Sequence, residues 1–253
     1  MALTTGFLWP LPPLAARADP EEVHVWRIPL TPPRPEEASS LSPEELERAS
    51  HYYLARDRDR FVTARASLRS ILGGYLDSDA SQIGLRQTPW GRPELDPAVH
   101  RQEARCALDF NLTHSGNLAL LAVTSGRKIG IDLEQIRPQV VEDALLPHVC
   151  SASELSLLLS LQGEERVAAF FRCWTRKESY LKARGEGLIL ALTSVSVSLG
   201  KDETPVLRSV AGDPDEVSRW SLVDLSPEPG FAACLAVSAS TADIRVRQWR
   251  MDR

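Results

Sequence analysis

The chain has 253 residues, of which 43% are hydrophobic and 25% are charged, a composition typical of folded proteins with one large or two modest domains. Its formal net charge of −5 argues against a broad electrostatic grip on nucleic acid, so an anionic ligand would require a local basic cluster. No apolar run reaches membrane-spanning length, and the four cysteines form no Cys-x-x-Cys pair, which predicts reduced, separate thiols in a cytoplasmic protein.

The predicted elements begin after a proline-rich start. Residues 1–20 are expected to form a loosely ordered extension, because prolines interrupt their apolar stretch. Val23 to Leu30 alternates in character and predicts the first strand. Ser42-Pro43-Glu44-Glu45 has the pattern of a capped helix start, and apolar residues at helical spacing predict a longer helix from about Asp57 to Leu76.

Arginines line both predicted helices. A basic helix flank is more often solvated surface than a binding site. Arg48, Arg60 and Arg65 are the residues here that we expect to contact an anionic ligand, since the negative net charge leaves that task to a local cluster.

Two short polar motifs follow. Thr88 to Pro93 predicts a tight turn that contains Gly91 and Arg92. Leu108 to Thr124 predicts a hairpin closed at a glycine turn. A lone histidine beside such a turn, here His114, is more often a hydrogen-bonded structural residue than a ligand-binding one.

Residues 129–134 predict a strand that carries two acids on one face. Asp132 and Glu134 are two residues apart, so their side chains point the same way. Two neighbouring carboxylates repel each other unless a cation lies between them. An isolated pair of this kind is most often a solvated sheet edge.

The second half is centred on a helix predicted from about Glu164 to Arg184. Glu178 and Lys182 lie four residues apart and therefore on the same side of it. Alone, such a pair is usually a surface ion pair. Three acids without a cysteine partner or clustered histidines favour a hard ion, Mg²⁺ first and Mn²⁺ as an alternative, with the lysine as a phosphate-binding group.

Both halves repeat one order of elements: a capped short helix, a long amphipathic helix that ends near glycine, and several strands. Periodicity breaks around residues 137–151, so the predicted division is an extension (1–20), a first half (21–137) and a second half (138–253). The polar stretch 200–219 is predicted as hairpins and loops. Strands of the second half are predicted at about Ser194–Leu199, Trp220–Leu225, Phe231–Ser238 and, as a terminal edge strand, Arg245–Trp249.

Two motifs carry a family resemblance. Gly130-Ile131-Asp132-Leu133-Glu134, followed by FFRCWTRKESYLKARGEGL at residues 170–188, resembles the signature pair of the 4′-phosphopantetheinyl transferases of the Sfp type. The resemblance covers most of residues 23–238. It implies a pseudo-duplicated α+β fold, in which each half has a long helix packed on a small antiparallel sheet and the active site lies in the cleft between the halves.

The resemblance also implies the reaction and how coenzyme A is bound. The family moves the phosphopantetheine arm of coenzyme A onto a serine of an acyl or peptidyl carrier protein and releases 3′,5′-ADP. FNLTHS resembles the motif in which a hydroxyl and a histidine, here Thr113 and His114, meet the 3′-phosphate end of coenzyme A. The turn at Gly91 and Arg92 resembles the Gly-Lys-Pro element that approaches the coenzyme, with arginine in place of the usual lysine.

By the same resemblance, Asp132, Glu134 and Glu178 hold the metal on the pyrophosphate of the coenzyme. Glu178 is the preferred general base, acting directly or through a metal-bound water. Lys182 and Lys177 would contact the coenzyme and offset charge on the leaving group.

The expected partners are coenzyme A and carrier domains, those of polyketide or nonribosomal-peptide synthases in particular, with no nucleic acid and no membrane. Since one chain already contains both halves of the site, a monomer is expected. Two readings from other classes stay open: another Mg²⁺-dependent nucleotide phosphohydrolase, and a non-catalytic module that binds carrier domains.

Overall fold

A computed structural model describes residues 9–13, 17–100, 108–185, 190–239 and 244–251. The strands are β1 Glu22–Pro29, β2 Leu85–Gln87, β3 Pro93–Leu95, β4 Leu108–Ser115, β5 Leu118–Ser125, β6 Ile129–Gln135, β7 Val195–Val197, β8 Leu207–Val210, β9 Ser221–Leu225, β10 Phe231–Val237 and β11 Arg245–Arg250. The helices are α1 Pro43–Ser50, α2 Ala55–Leu76, α3 Leu146–Val149, α4 Ala152–Ser160, α5 Gly163–Arg184 and α6 Glu216–Arg219.

Two sheets form the centre of the fold. The first has the order β11-β1-β5-β4 and the second has the order β6-β10-β9. Their inner faces pack on each other through aliphatic residues such as Val25 and Leu120 from the first sheet and Ile131 and Leu235 from the second. Helix α2 covers the outer face of the first sheet and α5 covers that of the second, which makes four layers in the order helix, sheet, sheet, helix.

Local sequence explains most element boundaries. The side chain of Ser42 accepts a hydrogen bond from the backbone N–H of Glu45 and so caps α1 as predicted. Helix α5 ends at Gly185, whose φ of 73° lies in the left-handed region that glycine adopts without strain. The β4–β5 turn uses Gly116 at a φ of 59° in the same way.

The predicted α+β fold, with a long helix on a small sheet in each half, is confirmed. The stretch 200–219 contains a strand, β8, and also a short helix, α6, that the prediction of hairpins and loops did not include. Three cysteines, Cys150, Cys173 and Cys234, are buried free thiols, but Cys150 and Cys173 interact with each other, so these two are not separate as predicted; Cys106 lies outside the described residues. Among the helices that the structure describes, none combines the length and the apolar character needed to cross a membrane.

Strand pairing crosses the predicted boundary at residue 137. Strand β6 precedes that boundary but pairs antiparallel with β10 of the second half. Strand β11 lies at the end of the chain but pairs with β1 of the first half, and it does so in parallel, so the first sheet is not purely antiparallel. Each half therefore completes its sheet with a strand from the other part of the chain.

The expectation of a loosely ordered start is wrong for part of the extension. Trp9 is only 5% exposed and packs in the core between the two sheets. The neighbouring carbonyl of Pro10 accepts a hydrogen bond from the backbone N–H of Arg250 on the edge strand. An indole that removes so much apolar surface from water holds this segment in place. Residues 1–8 and 14–16 lie outside the described part of the chain.

Candidate active site

A close contact between β6 and α5 places the predicted site residues together. A Cβ atom on Gly130 would lie 2.2 Å from the backbone oxygen of Ser179 and 2.3 Å from the backbone nitrogen of Ala183. Only glycine allows the helix to approach the strand so closely. The contact brings the acidic face of β6 beside the face of α5 that carries Glu178 and Lys182.

An ion pair joins the two elements. The Nζ atom of Lys182 lies 2.5 Å from Oδ1 of Asp132 and 3.3 Å from the hydroxyl of Thr113. Asp132 is 3% exposed, and its second oxygen, Oδ2, is buried without a hydrogen-bond partner among the described residues. Glu134, two residues further on, accepts a hydrogen bond from the hydroxyl of Ser115 at 2.9 Å. A buried carboxylate oxygen without a partner is costly and marks a position where a cation would be stabilising.

The electrostatics of the site show that the three acids influence one another. Burial raises the pKa of Glu178, and the charges of Asp132 and Glu134 raise it further, while Lys182 opposes the change. Burial also raises the pKa of Glu134; the Ser115 hydrogen bond opposes this, and Asp132 adds to it. Carboxylates that raise one another's pKa are held close at a cost in free energy, which is common where a cation or a proton is later bound.

The chemistry of this donor set fits a hard divalent ion. All three side chains offer oxygen, and Oδ2 of Asp132 is available. Within the described ranges, no three His, Cys, Asp or Glu side chains already converge on one point as metal ligands do. The three carboxylates are thus neighbours around the site and do not form a preassembled ligand shell.

A cavity of about 270 Å³ opens beside these residues. Glu178 and Lys182 form part of its wall together with Gly91 and Arg92 from the predicted turn. The remaining lining is mostly apolar and consists of Trp90, Pro93, Asn111, Leu112, Leu181 and Gly185. The cavity therefore combines an acid and a base with an apolar wall, as binding sites for small organic groups do.

A separate basic group lies on the other side of β4. His114 is exposed at the protein surface, but neighbouring protein still lowers its pKa, first by desolvation of its ring and then by the positive charges of Lys182, Arg60, Arg65 and Arg48. Arg48 and Arg65 also border a second cavity of about 380 Å³, and both guanidinium groups lie over the ring of Phe61, at 5.2 and 5.6 Å from its centre. Arg48, Arg60 and Arg65 therefore concentrate positive charge within electrostatic range of His114, and this charge favours the neutral form of its imidazole.

Two predicted site residues, Thr113 and Lys177, lie apart from His114. Thr113 lies beside Lys182, because consecutive side chains of a strand point to opposite faces, and its contact with coenzyme A stays a prediction. Lys177 does not reach the cleft at all. Its ammonium is fully buried on the far side of α5, where Glu154 and the backbone carbonyls of Val149 and Leu192 accept its hydrogen bonds. The prediction that Lys177 contacts the coenzyme is therefore wrong, because Lys177 forms a buried ion pair with Glu154.

Sequence reasoning missed the residues that connect β4 to β6. Oδ2 of Asp109 accepts a hydrogen bond from the backbone N–H of Ile129, and Oδ1 of Asn111 accepts one from that of Ile131. The hydroxyl of Ser115 accepts the N–H of Gln135. Strands β4 and β6 belong to different sheets, so side chains of β4 accept the hydrogen bonds from the backbone N–H groups of β6 that the carbonyls of a paired strand would otherwise accept. The signal was available, since polar residues occupy every second position from 109 to 115 of an otherwise apolar hairpin.

The buried Asp132 and the half-buried Glu134, Glu178 and Lys182 lie near several arginines, an arrangement that suits an enzyme that transfers a group from a polyanionic substrate. The family description "4′-phosphopantetheinyl transferase superfamily" matches residues 128–236, and "4′-phosphopantetheinyl transferase, N-terminal" matches residues 32–126. The chain belongs to the 4′-phosphopantetheinyl transferases, and within them to the Sfp type.

Relatives support this over most of the chain. The 4′-phosphopantetheinyl transferase HetI of a Nostoc species is 40% identical over 221 residues, covering 86% of this chain and 88% of that protein. The 4′-phosphopantetheinyl transferase Sfp of Bacillus subtilis is 31% identical over 78% of this chain and 83% of its own. Among solved structures, a holo-(acyl-carrier-protein) synthase from Bacillus anthracis in complex with CoA matches 45% of this chain and 96% of its own, at 20% identity and a TM-score of 0.38.

Proposed function

We propose that this protein transfers the 4′-phosphopantetheine arm of coenzyme A to a serine hydroxyl of a carrier protein and releases 3′,5′-ADP. One observation carries the proposal: Glu178 and Lys182 line one cavity, where Lys182 also pairs with the buried carboxylate of Asp132, and His114 with its surrounding arginines lies on the opposite face of β4. A substrate with a phosphorylated nucleotide at one end and a reacting pyrophosphate in its middle fits that division.

The basic group would hold the nucleotide end of coenzyme A. The charges of Arg48, Arg60 and Arg65 all help to lower the pKa of His114, and Arg48 and Arg65 line one cavity. An arginine fork binds phosphate oxygens in pairs, and a neutral imidazole can still donate one hydrogen bond. Because the chain is negative overall, such a local cluster is the part of the surface that would attract a phosphorylated nucleotide.

Asp132, Glu134 and Glu178 would hold Mg²⁺, with Mn²⁺ as an alternative. Oδ2 of Asp132 is buried without a partner, and the pKa values of Glu134 and Glu178 are raised, so all three carboxylates are held at a cost in free energy. A cation bound between them would remove that cost. When bound there, the ion would supply charge neutralisation for the pyrophosphate of coenzyme A.

The side chains of the cavity divide the chemistry between them. The serine oxygen of the carrier forms a bond to the phosphorus that bears the pantetheine arm, and the bond from that phosphorus to the oxygen of 3′,5′-ADP breaks. Glu178 takes the proton of the serine, directly or through a water, because its carboxylate lines the cavity that the serine would enter. Lys182, whose ammonium lies 2.5 Å from Asp132, would offset the negative charge of the departing phosphate oxygens.

The partner would be a carrier domain of a polyketide or nonribosomal-peptide synthase, bound by a single copy of this chain in the cytoplasm. The apolar wall of the cavity formed by Trp90, Leu112 and Leu181 suits a neutral thiol-bearing arm. Trp90 is 57% exposed, so it also presents apolar surface at the rim where a carrier helix would arrive.

Intact-mass spectrometry of an apo carrier domain tests the proposal. The domain is incubated with this protein, coenzyme A and Mg²⁺, and the nucleotide product is identified by chromatography. We expect a mass gain of one phosphopantetheine arm on the carrier and an equal amount of 3′,5′-ADP. Asp132→Ala should abolish the gain, and Glu178→Gln should reduce its rate by about 100-fold or more, the size expected for loss of a general base.

Other outcomes separate the alternative functions. Consumption of coenzyme A without modification of any carrier would favour a phosphohydrolase. Binding of coenzyme A and of a carrier with no turnover would favour a binding module. Near-normal turnover by Glu178→Gln at saturating Mg²⁺ would remove Glu178 from the role of base while leaving the transferase in place.

A further inference from the structure

Arg92 is committed to acceptors inside the protein. Its Nη1 donates a hydrogen bond to the backbone carbonyl of Lys182 at 3.0 Å. Its Nη2 donates to Oδ1 of Asp109 at 2.6 Å and to the backbone carbonyl of Phe110 at 2.8 Å. The side chain is only 17% exposed, so three of its five N–H groups are used on the protein itself, and both hydrogens of Nη2 are already directed at acceptors.

The contact with Lys182 completes the end of α5. Lys182 is among the last four residues of the helix, whose carbonyls have no partner within the helix. A cation that donates to such a carbonyl satisfies it and also interacts favourably with the negative end of the helix dipole. Arg92 belongs to the turn before β3, ninety positions earlier in the chain, and therefore caps α5 from the opposite half of the protein.

Asp109 fixes Arg92 and the start of β6 at the same time. Its Oδ1 accepts from Arg92 and from the backbone N–H of Phe110, and its Oδ2 accepts from the backbone N–H of Ile129 at 3.2 Å. Burial raises the pKa of Asp109, and the charge of Arg92 opposes that change and favours the carboxylate. One carboxylate thus connects the arginine to the strand that carries Asp132.

We infer that Arg92 and Asp109 form a positioning pair that sets the last turn of α5 against β6 and so fixes Lys182 relative to Asp132. The inference rests on the proposed function only for its effect on turnover. It replaces the direct coenzyme contact that the sequence suggested for Arg92. A lysine at position 92 would have to serve from one point the acceptors that Arg92 reaches with two separate nitrogens of a planar fork, so it cannot reproduce this geometry.

Steady-state kinetics of Arg92→Lys, Asp109→Asn and the double variant test the pair. If the two residues act together on the position of Lys182, each single variant lowers kcat by about tenfold or more, as small displacements of reacting groups do. The KM for coenzyme A then changes by less than about threefold, and the double variant is no worse than the poorer single variant. Arg245→Lys is the matched control, since Arg245 is an exposed residue of the edge strand β11 that pairs with the carboxylates of Glu21 and Glu22, at 3.3 and 3.7 Å.

Amide hydrogen exchange provides a measurement that does not depend on turnover. We expect the amides of residues 181–185 to exchange about tenfold faster in Arg92→Lys and in Asp109→Asn than in the unchanged protein, while amides in α2 keep their rates. A rise in the KM for coenzyme A of about tenfold with kcat unchanged would overturn the inference and make Arg92 a coenzyme ligand. Unaltered exchange at residues 181–185, or multiplying effects in the double variant, would overturn it as well. Absence of carrier loading by the unchanged protein would refute the proposed function, and the exchange data would still decide the positioning pair.

Discussion

Replacing Lys177 by methionine should destabilise the protein strongly while leaving the cavity residues in place. The Nζ atom of Lys177 is fully buried and lies 2.5 Å from Oε2 of Glu154, 2.8 Å from the carbonyl of Val149 and 3.0 Å from that of Leu192. Methionine has a similar length, so the variant removes the charge and the three hydrogen bonds without leaving a large void.

The size of the effect follows from what remains behind. Glu154 keeps two hydrogen bonds from the backbone N–H groups of Ser151 and Val197, both at 2.7 Å, but its charge loses the only cation that the structure describes against it. Breaking a buried ion pair by removing one partner costs about 3–5 kcal/mol, and the two carbonyls add to that cost. For a chain of this size, such a loss corresponds to a Tm lower by about 6–20 °C.

Urea unfolding followed by circular dichroism measures the loss, with Lys201→Met, at an exposed turn, as the control that removes a lysine from the surface. Adding Glu154→Gln to Lys177→Met removes the unpaired charge and should restore part of the stability. A loss below about 1 kcal/mol would refute the reasoning, because exposed ion pairs contribute no more than that. Unchanged stability together with a raised KM for coenzyme A would return Lys177 to the coenzyme site.

Three further predictions concern the helix contact, the acids and a buried histidine. Gly130→Ala should cost about 1–3 kcal/mol in urea unfolding, since its Cβ would lie 2.2 Å from a backbone oxygen of α5; equal stability would mean that the helix shifts freely. Glu178→Gln should stabilise the Mg²⁺-free protein by about 0.5–2 kcal/mol at pH 7, because the pKa of Glu178 is raised and its ionisation therefore destabilises the folded state. The gain should vanish near pH 4, where the carboxyl group is protonated in the folded and the unfolded protein. A gain that does not depend on pH would contradict this cause. His24 is 1% exposed, and burial lowers its pKa, so the free energy of unfolding should fall as pH drops below about 6.5, by at most about 1.4 kcal/mol per pH unit. His24→Gln should reduce this pH dependence in thermal unfolding. An unchanged pH dependence would exclude His24 as its source.

The elements of the fold were largely predictable because their signals are local. The cap at Ser42, the apolar stripe of α2 and the turn at Gly116 each depend on residues within a few positions of one another. The strand and helix that carry the acids were predicted for the same reason. The short helix α6 was missed, since a four-residue helix within a polar stretch has no periodicity to read.

The partners of the strands were less predictable. The sequence of β6 shows which face carries Asp132 and Glu134, but it carries no information on whether β10 or β4 supplies its hydrogen bonds. The buried Trp9 was treated as part of a loose extension for a similar reason, because the surface that covers it comes from strands far along the chain.

By itself, the sequence determined the α+β elements, the common face of Asp132 and Glu134, and the spacing of Glu178 and Lys182, since all three follow from the periods of strand and helix. Only the tertiary structure decided which neighbouring side chains serve the site. In the folded chain the side chain of Lys177 lies in the core and that of Lys182 lies in the cleft, although both residues belong to α5. It also committed Arg92 to the end of α5 through Asp109. These assignments depend on which surfaces pack together over long sequence separations, and that is a property of the whole chain.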